Sequence, residues 1–202
     1  MRAFLAIDLG SEARAAAAAI AAALRALPNG DAVGWVRAEN YHVTLRFLGE
    51  IDPARVARLA GCVREQTAAL RPFRLELGGA HAFPSRRRPT ALVLDVGPSG
   101  PLEALAEAVE RGVVAAGFEP EARAFRAHLT LGRLHGARFP AVTGTVTSGG
   151  ESCAVDEVVL FKSELQPSGA SYTAIERTPL GGEPSPLSTQ TDGSIYNPNV
   201  GG

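Results

Sequence analysis

Two segments of this chain repeat one another, and the repeat constrains the fold more than any other feature. His42-Val43-Thr44-Leu45 and His128-Leu129-Thr130-Leu131 share one His-x-Thr-x frame. Each is preceded by a stretch ending apolar–Asp–apolar–Gly, residues 3–10 and residues 91–97. Asp8 lies 34 positions before His42, and Asp95 lies 33 positions before His128. A helical pattern fills each interval. The same order of elements at nearly equal spacing points to an internal duplication: two lobes related by a pseudo-two-fold axis, each bringing one histidine to a shared cleft.

Within that frame the local patterns can be placed. Alternation predicts strands at 3–8, 41–48, 73–77, 90–96 and 128–134, with a hairpin of 155–165 and 172–178 turning through residues 166–169. Gly49 ends the second strand, and Gly78-Gly79 is expected to break the third. Ser11 is placed to cap a helix that Pro28-Asn29-Gly30 stops. Asp52-Pro53 offers a cap and a first-turn proline before the stripe Val56, Leu59, Ala60 and Val63. A third helix follows Pro98-Ser99-Gly100-Pro101, with the stripe Leu102, Leu105, Val109 and Val113, and closes at Gly117. Periodicity by itself gives a mixed α/β or α+β domain. From Gly181 the chain turns polar and rich in Gly, Pro, Ser and Asn, so residues 181–202 are expected to form a disordered tail beyond a domain of residues 1–180.

Composition narrows the function classes. A net charge of −1 argues against a protein that coats nucleic acid by bulk electrostatics. No apolar run reaches the ~18 residues of a membrane span, and Asp8 interrupts the N-terminal apolar segment too early for a signal peptide, which points to the cytoplasm. Cys62 and Cys153 have no Cys-x-x-Cys partner and read as reduced thiols. Lys162 is the only lysine, so nearly every cation is an arginine, a planar donor suited to phosphate. The run Arg86-Arg87-Arg88, between Pro84-Ser85 and Pro89, reads as a loop. It is either a solvated face or a contact to a nucleic-acid backbone.

The paired motifs carry chemistry. Side chains two apart on a strand share a face, so each motif sets an imidazole beside a hydroxyl while Val43, Leu45, Leu129 and Leu131 point into the core. Opening a cyclic phosphate with water needs a base for the water proton and an acid for the departing sugar oxygen. Two imidazoles titrating near neutrality can hold those complementary states. The hydroxyls of Thr44 and Thr130 can donate to the non-bridging oxygens as charge develops.

The segments Trp35 through Gly49 and Phe125 through Arg133 resemble the two-histidine phosphoesterase superfamily. Within it they are most similar to the bacterial and archaeal RNA 2′,3′-cyclic phosphodiesterases, long called 2′-5′ RNA ligases. The likeness covers roughly residues 1–180, and Ala127 departs from it where proline is often found. It implies an α+β fold of two lobes, each an antiparallel sheet with outer helices, around a central cleft. It implies hydrolysis of an RNA or nucleotide 2′,3′-cyclic phosphate to a 2′-phosphomonoester, with His42 and His128 catalytic and no metal or other cofactor. By that analogy His42 protonates the leaving 3′ oxygen, His128 activates water, and Thr44 and Thr130 bind the phosphate. Arg126, two before His128, and Arg46, four after His42, fall on the histidine faces of ideal strands and are the cationic candidates for phosphate; Arg133, five after His128, falls on the opposite face.

The alternatives are a non-catalytic module that holds RNA ends in the same cleft, and an enzyme acting on another cyclic phosphate or a 2′-5′ linkage. A zinc site at His42 and His128 lacks paired ligand spacing. His81 and His135 read as ordinary loop or strand-end residues, and Trp35 as packing. Tyr41, Phe47 and Phe125 are divided between base stacking and the core. A monomer is the default.

Overall fold

The computed structural model describes residues 1–134, 140, 152–167 and 169–181, and all of its strands belong to one sheet. Strand β1 (Arg2–Asp8) is buried from Ala3 to Ile7, because helices cover one face and aromatic side chains the other. Helix α1 (Ser11–Arg25) follows and buries Ala13, Ala17, Ile20 and Leu24 at helical spacing. Its N-cap is Gly10, one residue earlier than expected: the Gly10 carbonyl already accepts from Arg14 N at 3.0 Å, so Ser11 is the first helical residue and caps nothing. The short strand β2 (Val33–Trp35) precedes β3 (His42–Glu50). Asp52 then accepts from Ala54 N at 2.9 Å, and Pro53 opens a 3₁₀ turn into α2 (Val56–Thr67).

Strand β4 (Phe73–Phe83) runs past the expected break at Gly78-Gly79. The two glycines form a bulge, with the register to β5 (Ala91–Gly97) shifting between Leu77 and Ala80. A Cβ on Gly78 would sit 2.9 Å from that of Asp95, so glycine lets the strand continue there. Helix α3 (Ser99–Ala115) buries the whole stripe Leu102, Leu105, Val109 and Val113. Strands β6 (Leu129–Leu134), β7 (Ser152–Val155), β8 (Glu157–Gln166) and β9 (Gly169–Pro179) complete the described residues. His135, Ser168 and residues 182–202 lie outside them, and with these the expected tail beyond Gly181.

The strand order is β7-β4-β5-β6-β3-β1-β8-β9, with β2 added alongside β6. Read outward from its middle, the sheet is β6-β5-β4-β7 on one side and β3-β1-β8-β9 on the other, the expected duplication. Every pairing is antiparallel. The halves are not separate sheets: β3 and β6 join them through the pair Val43–Leu129, giving one curled sheet. α1, from the first half, packs on β7, and α3, from the second half, packs on β3. The main core lies between helices and sheet and draws on both halves, among them Ile7, Leu24, Val43, Leu59, Leu94, Leu105 and Leu129. Cys153 is buried in it, Cys62 is half-buried, and both are free thiols. Among the described residues no helix is long and apolar enough to cross a membrane.

Candidate active site

The site lies on the sheet face opposite the helices, where the two halves join. Val43 and Leu129 pair across β3 and β6 and are fully buried on the helix side. One residue to either side, the same antiparallel register sets His42 across from Thr130 and Thr44 across from His128. All four side chains then share the face opposite Val43 and Leu129. The repeat thus becomes a quartet in which each histidine has a threonine of its own strand and one of the other half.

Both rings are held alike. His42 Nδ1 lies 2.7 Å from the carbonyl oxygen of Asn40, and His128 Nδ1 lies 2.7 Å from that of Arg126. A carbonyl only accepts, so Nδ1 carries the proton in both, and the neutral ring presents the Nε2 lone pair. His42 Nε2 accepts from the Thr44 hydroxyl at 3.0 Å. His42 sits among Phe4, Tyr172 and Phe161, at centroid distances of 4.8, 5.3 and 6.4 Å. His128 stacks on Phe83 at 4.3 Å. Burial pushes the pKa of His42 below the ordinary histidine value; the bond to Asn40 and the carboxylate of Asp8 oppose this, while His128 and Arg133 add to it. Burial also depresses His128, against the bond to Arg126, and the charges of Arg126, His81 and Arg133 depress it further.

A bulge follows each motif and decides which arginine reaches the site. On β3 the partners run from Ala6–Thr44 directly to Leu5–Arg46, leaving Leu45 as the extra residue. On β6 they run from Val93–Thr130 to Leu92–Gly132, leaving Leu131 extra. Each bulge turns the fourth residue after the histidine to the helix side and the fifth to the site side. The expectation for Arg46 is therefore overturned: its Nε donates to Glu110 at 2.7 Å, and its side chain is 12% exposed, packed away from the histidines. The placement of Arg133 is corrected in the opposite sense: the register past Leu131 turns it to the histidine face, where its charge disfavours protonation of both rings. Arg126 does lie beside His128, with its guanidinium over Phe83 at 4.6 Å and donating to the Pro84 carbonyl at 3.5 Å.

Other residues reach this face that sequence reasoning did not place there. Asp8 pairs directly with His42 in the β1–β3 register, and its carboxylate is held by Arg14 at 2.7 Å and Arg177 at 3.4 Å. His81 pairs with Val93, itself the partner of Thr130, and lies 3.4 Å from Asp95. The available signal was the repeat itself, which already singled out Asp8 and Asp95. Of the aromatic candidates, Tyr41 is core, Phe125 packs against the core, and Phe47 stands 57% exposed near Phe4 at 6.0 Å. Trp35 packs, its Nε1 donating to Gly30. Among the described residues no three His, Cys, Asp or Glu side chains converge as a metal-ligand set.

Comparison with known proteins is decisive for the family. A model of LigT like phosphoesterases matches residues 7–93 and again residues 94–172. The chain belongs to the LigT like phosphoesterase family. It is an enzyme, a phosphoesterase. A family member from Methanothermobacter thermautotrophicus, named RNA 2′,3′-cyclic phosphodiesterase, is 34% identical over 87% of this chain and 97% of its own. One of the same name from Aeropyrum pernix is 36% identical over 69% of this chain and 82% of its own. Among solved structures, TT0787 of Thermus thermophilus has a TM-score of 0.76 at 29% identity, covering 91% of this chain and all of its own. E. coli LigT complexed with 3′-AMP has a TM-score of 0.74 at 28% identity, covering 89% and 97%. The mixed α/β fold with a curled antiparallel sheet is that of the family.

Proposed function

We propose that this phosphoesterase hydrolyses the 2′,3′-cyclic phosphate of an RNA or nucleotide to a 2′-phosphomonoester, using His42 and His128 as acid and base without a metal. The observation that carries the reading is the quartet, two Nε2 atoms and two hydroxyls on one face with both Nδ1 atoms tied to backbone carbonyls. Relatives named for this activity supply the substrate class.

In the free protein both rings are biased toward the neutral form by burial. An incoming cyclic phosphate brings a negative charge that favours protonation of one of them. That ring becomes the acid, and the other, still neutral, is the base. His128 Nε2 removes a proton from water as its oxygen bonds to phosphorus. The phosphorus–O3′ bond breaks, and His42 Nε2 delivers its proton to O3′, leaving the phosphate on O2′. Thr44, Thr130 and Arg133 donate to the non-bridging oxygens, where charge accumulates. The assignment of acid to His42 and base to His128 follows the family analogy.

Product analysis on an RNA ending in a 2′,3′-cyclic phosphate, with excess chelator, tests this. Wild type is expected to form 2′-phosphate catalytically, and His42→Ala or His128→Ala to lose roughly 10²–10⁴-fold in kcat while remaining folded. Activity abolished by chelator, or retained by either variant, would sink the two-histidine mechanism.

A further inference from the structure

The tip of the β4–β5 hairpin carries Arg86, Arg87 and Arg88, all exposed. The loop is closed by its own bonds: Thr90 N donates to the Phe83 carbonyl at 2.7 Å, and Arg88 N to the Ser85 hydroxyl at 3.4 Å. Its base is the catalytic face, since Phe83 stacks on His128 and Arg126 lies over Phe83. Arg86 follows Phe83 by three residues, a reach of at most about 11 Å. Arg133 pairs with Ala91 at the other foot of the same hairpin. A basic tract thus leads outward from His128.

The tract is set apart by its place: it runs in series from the catalytic face, and no described carboxylate pairs with it. Arg14, Arg37, Arg46, Arg64 and Arg177 each form an ion pair with a carboxylate. Among the described residues, Arg86, Arg87, Arg88, Arg126 and Arg133 form none. Acidic and basic residues nearly balance over the chain, and none of the described carboxylates neutralises this edge. Exposed, unneutralised guanidinium groups in series match a series of phosphates.

We infer that this tract holds the backbone of single-stranded RNA upstream of the reacting end, so that an oligonucleotide is a better substrate than a mononucleotide. The inference rests on the proposed function for which end reacts. Backbone contacts of this kind position the strand without reading its sequence.

The test compares wild type with Arg86→Gln/Arg87→Gln/Arg88→Gln on an RNA octamer and on a mononucleotide, both carrying a 2′,3′-cyclic phosphate. Binding of a labelled octamer ending in a 2′-phosphate is measured alongside, which reads the tract independently of turnover. A second triple variant, Arg58→Gln/Arg71→Gln/Arg111→Gln, removes three exposed arginines on and beside α2 and α3 and controls for net charge. Wild type should prefer the octamer by roughly tenfold or more at low salt. The tip variant should lose that preference, and its slope of log affinity against log salt should fall by about 2, near 0.7 per lost contact on a single strand. Unchanged octamer binding in the tip variant, or an equal loss in the control, overturns the inference. If wild type hydrolyses neither substrate yet binds RNA through the tip, the proposed function fails and the tract stands.

Discussion

Arg46 and Arg133 lie just beyond the same motif and end on opposite faces of the sheet. The difference is one position: Arg46 is the fourth residue after its histidine and Arg133 the fifth, and the bulges at Leu45 and Leu131 reverse the faces an unbroken strand would give them. No feature of the sequence marks those bulges, because an extra leucine in an alternating apolar run leaves the run apolar. The histidines and threonines were legible because they precede the bulge. Arg133 disfavours protonation of both rings, so removing its charge must make both easier to protonate. In Arg133→Gln the two imidazole titrations, followed by NMR, should move upward toward the ordinary value of 6.5, and kcat/KM should fall roughly tenfold to a hundredfold with loss of a charged donor. Arg46→Met should leave both titrations in place while costing about 1–3 kcal/mol of stability, since Glu110 loses its cationic partner and keeps, among the described residues, only the Glu121 amide. Equal movement of the titrations in both variants would refute this division of roles.

Elements were legible in proportion to their length and period. The stripes of α2 and α3 name buried residues directly, because a long helix repeats its apolar signal several times. Strands β2 and β7, of three and four residues, are too short to show an alternation. Gly78-Gly79 reads as a stop because glycine usually ends strands; here neighbouring strands hold the backbone on both sides of the bulge. A similar close approach governs the helices. A Cβ on Gly112 of α3 would lie 2.7 Å from Val63 Cα of α2, against backbone that has no rotamer to escape into. Gly112→Ala should therefore destabilise by about 1–3 kcal/mol despite alanine's better helix propensity. Lowered thermal and urea midpoints with unchanged kcat/KM are expected; a raised midpoint would mean the helices part easily.

At the scale of the whole molecule, the duplication was legible but the union of its halves was not. Spacing along the chain reports that two units resemble each other, whereas the Val43–Leu129 pair joining them is a contact across 86 positions with no local signature. That pair is what makes one site out of two repeats. Each histidine belongs to a different half, and protonation of His128 disfavours protonation of His42. If they act in one displacement, one as base and one as acid, then removing either already disables the step. His42→Ala/His128→Ala should consequently be little worse than the weaker single variant, within about tenfold, and far from the product of the two single losses. The readout is single-turnover hydrolysis of a 2′,3′-cyclic phosphate by all four members of the cycle. Full additivity would mean that each half contributes separately, and that the shared register does not make the two motifs a single catalytic unit.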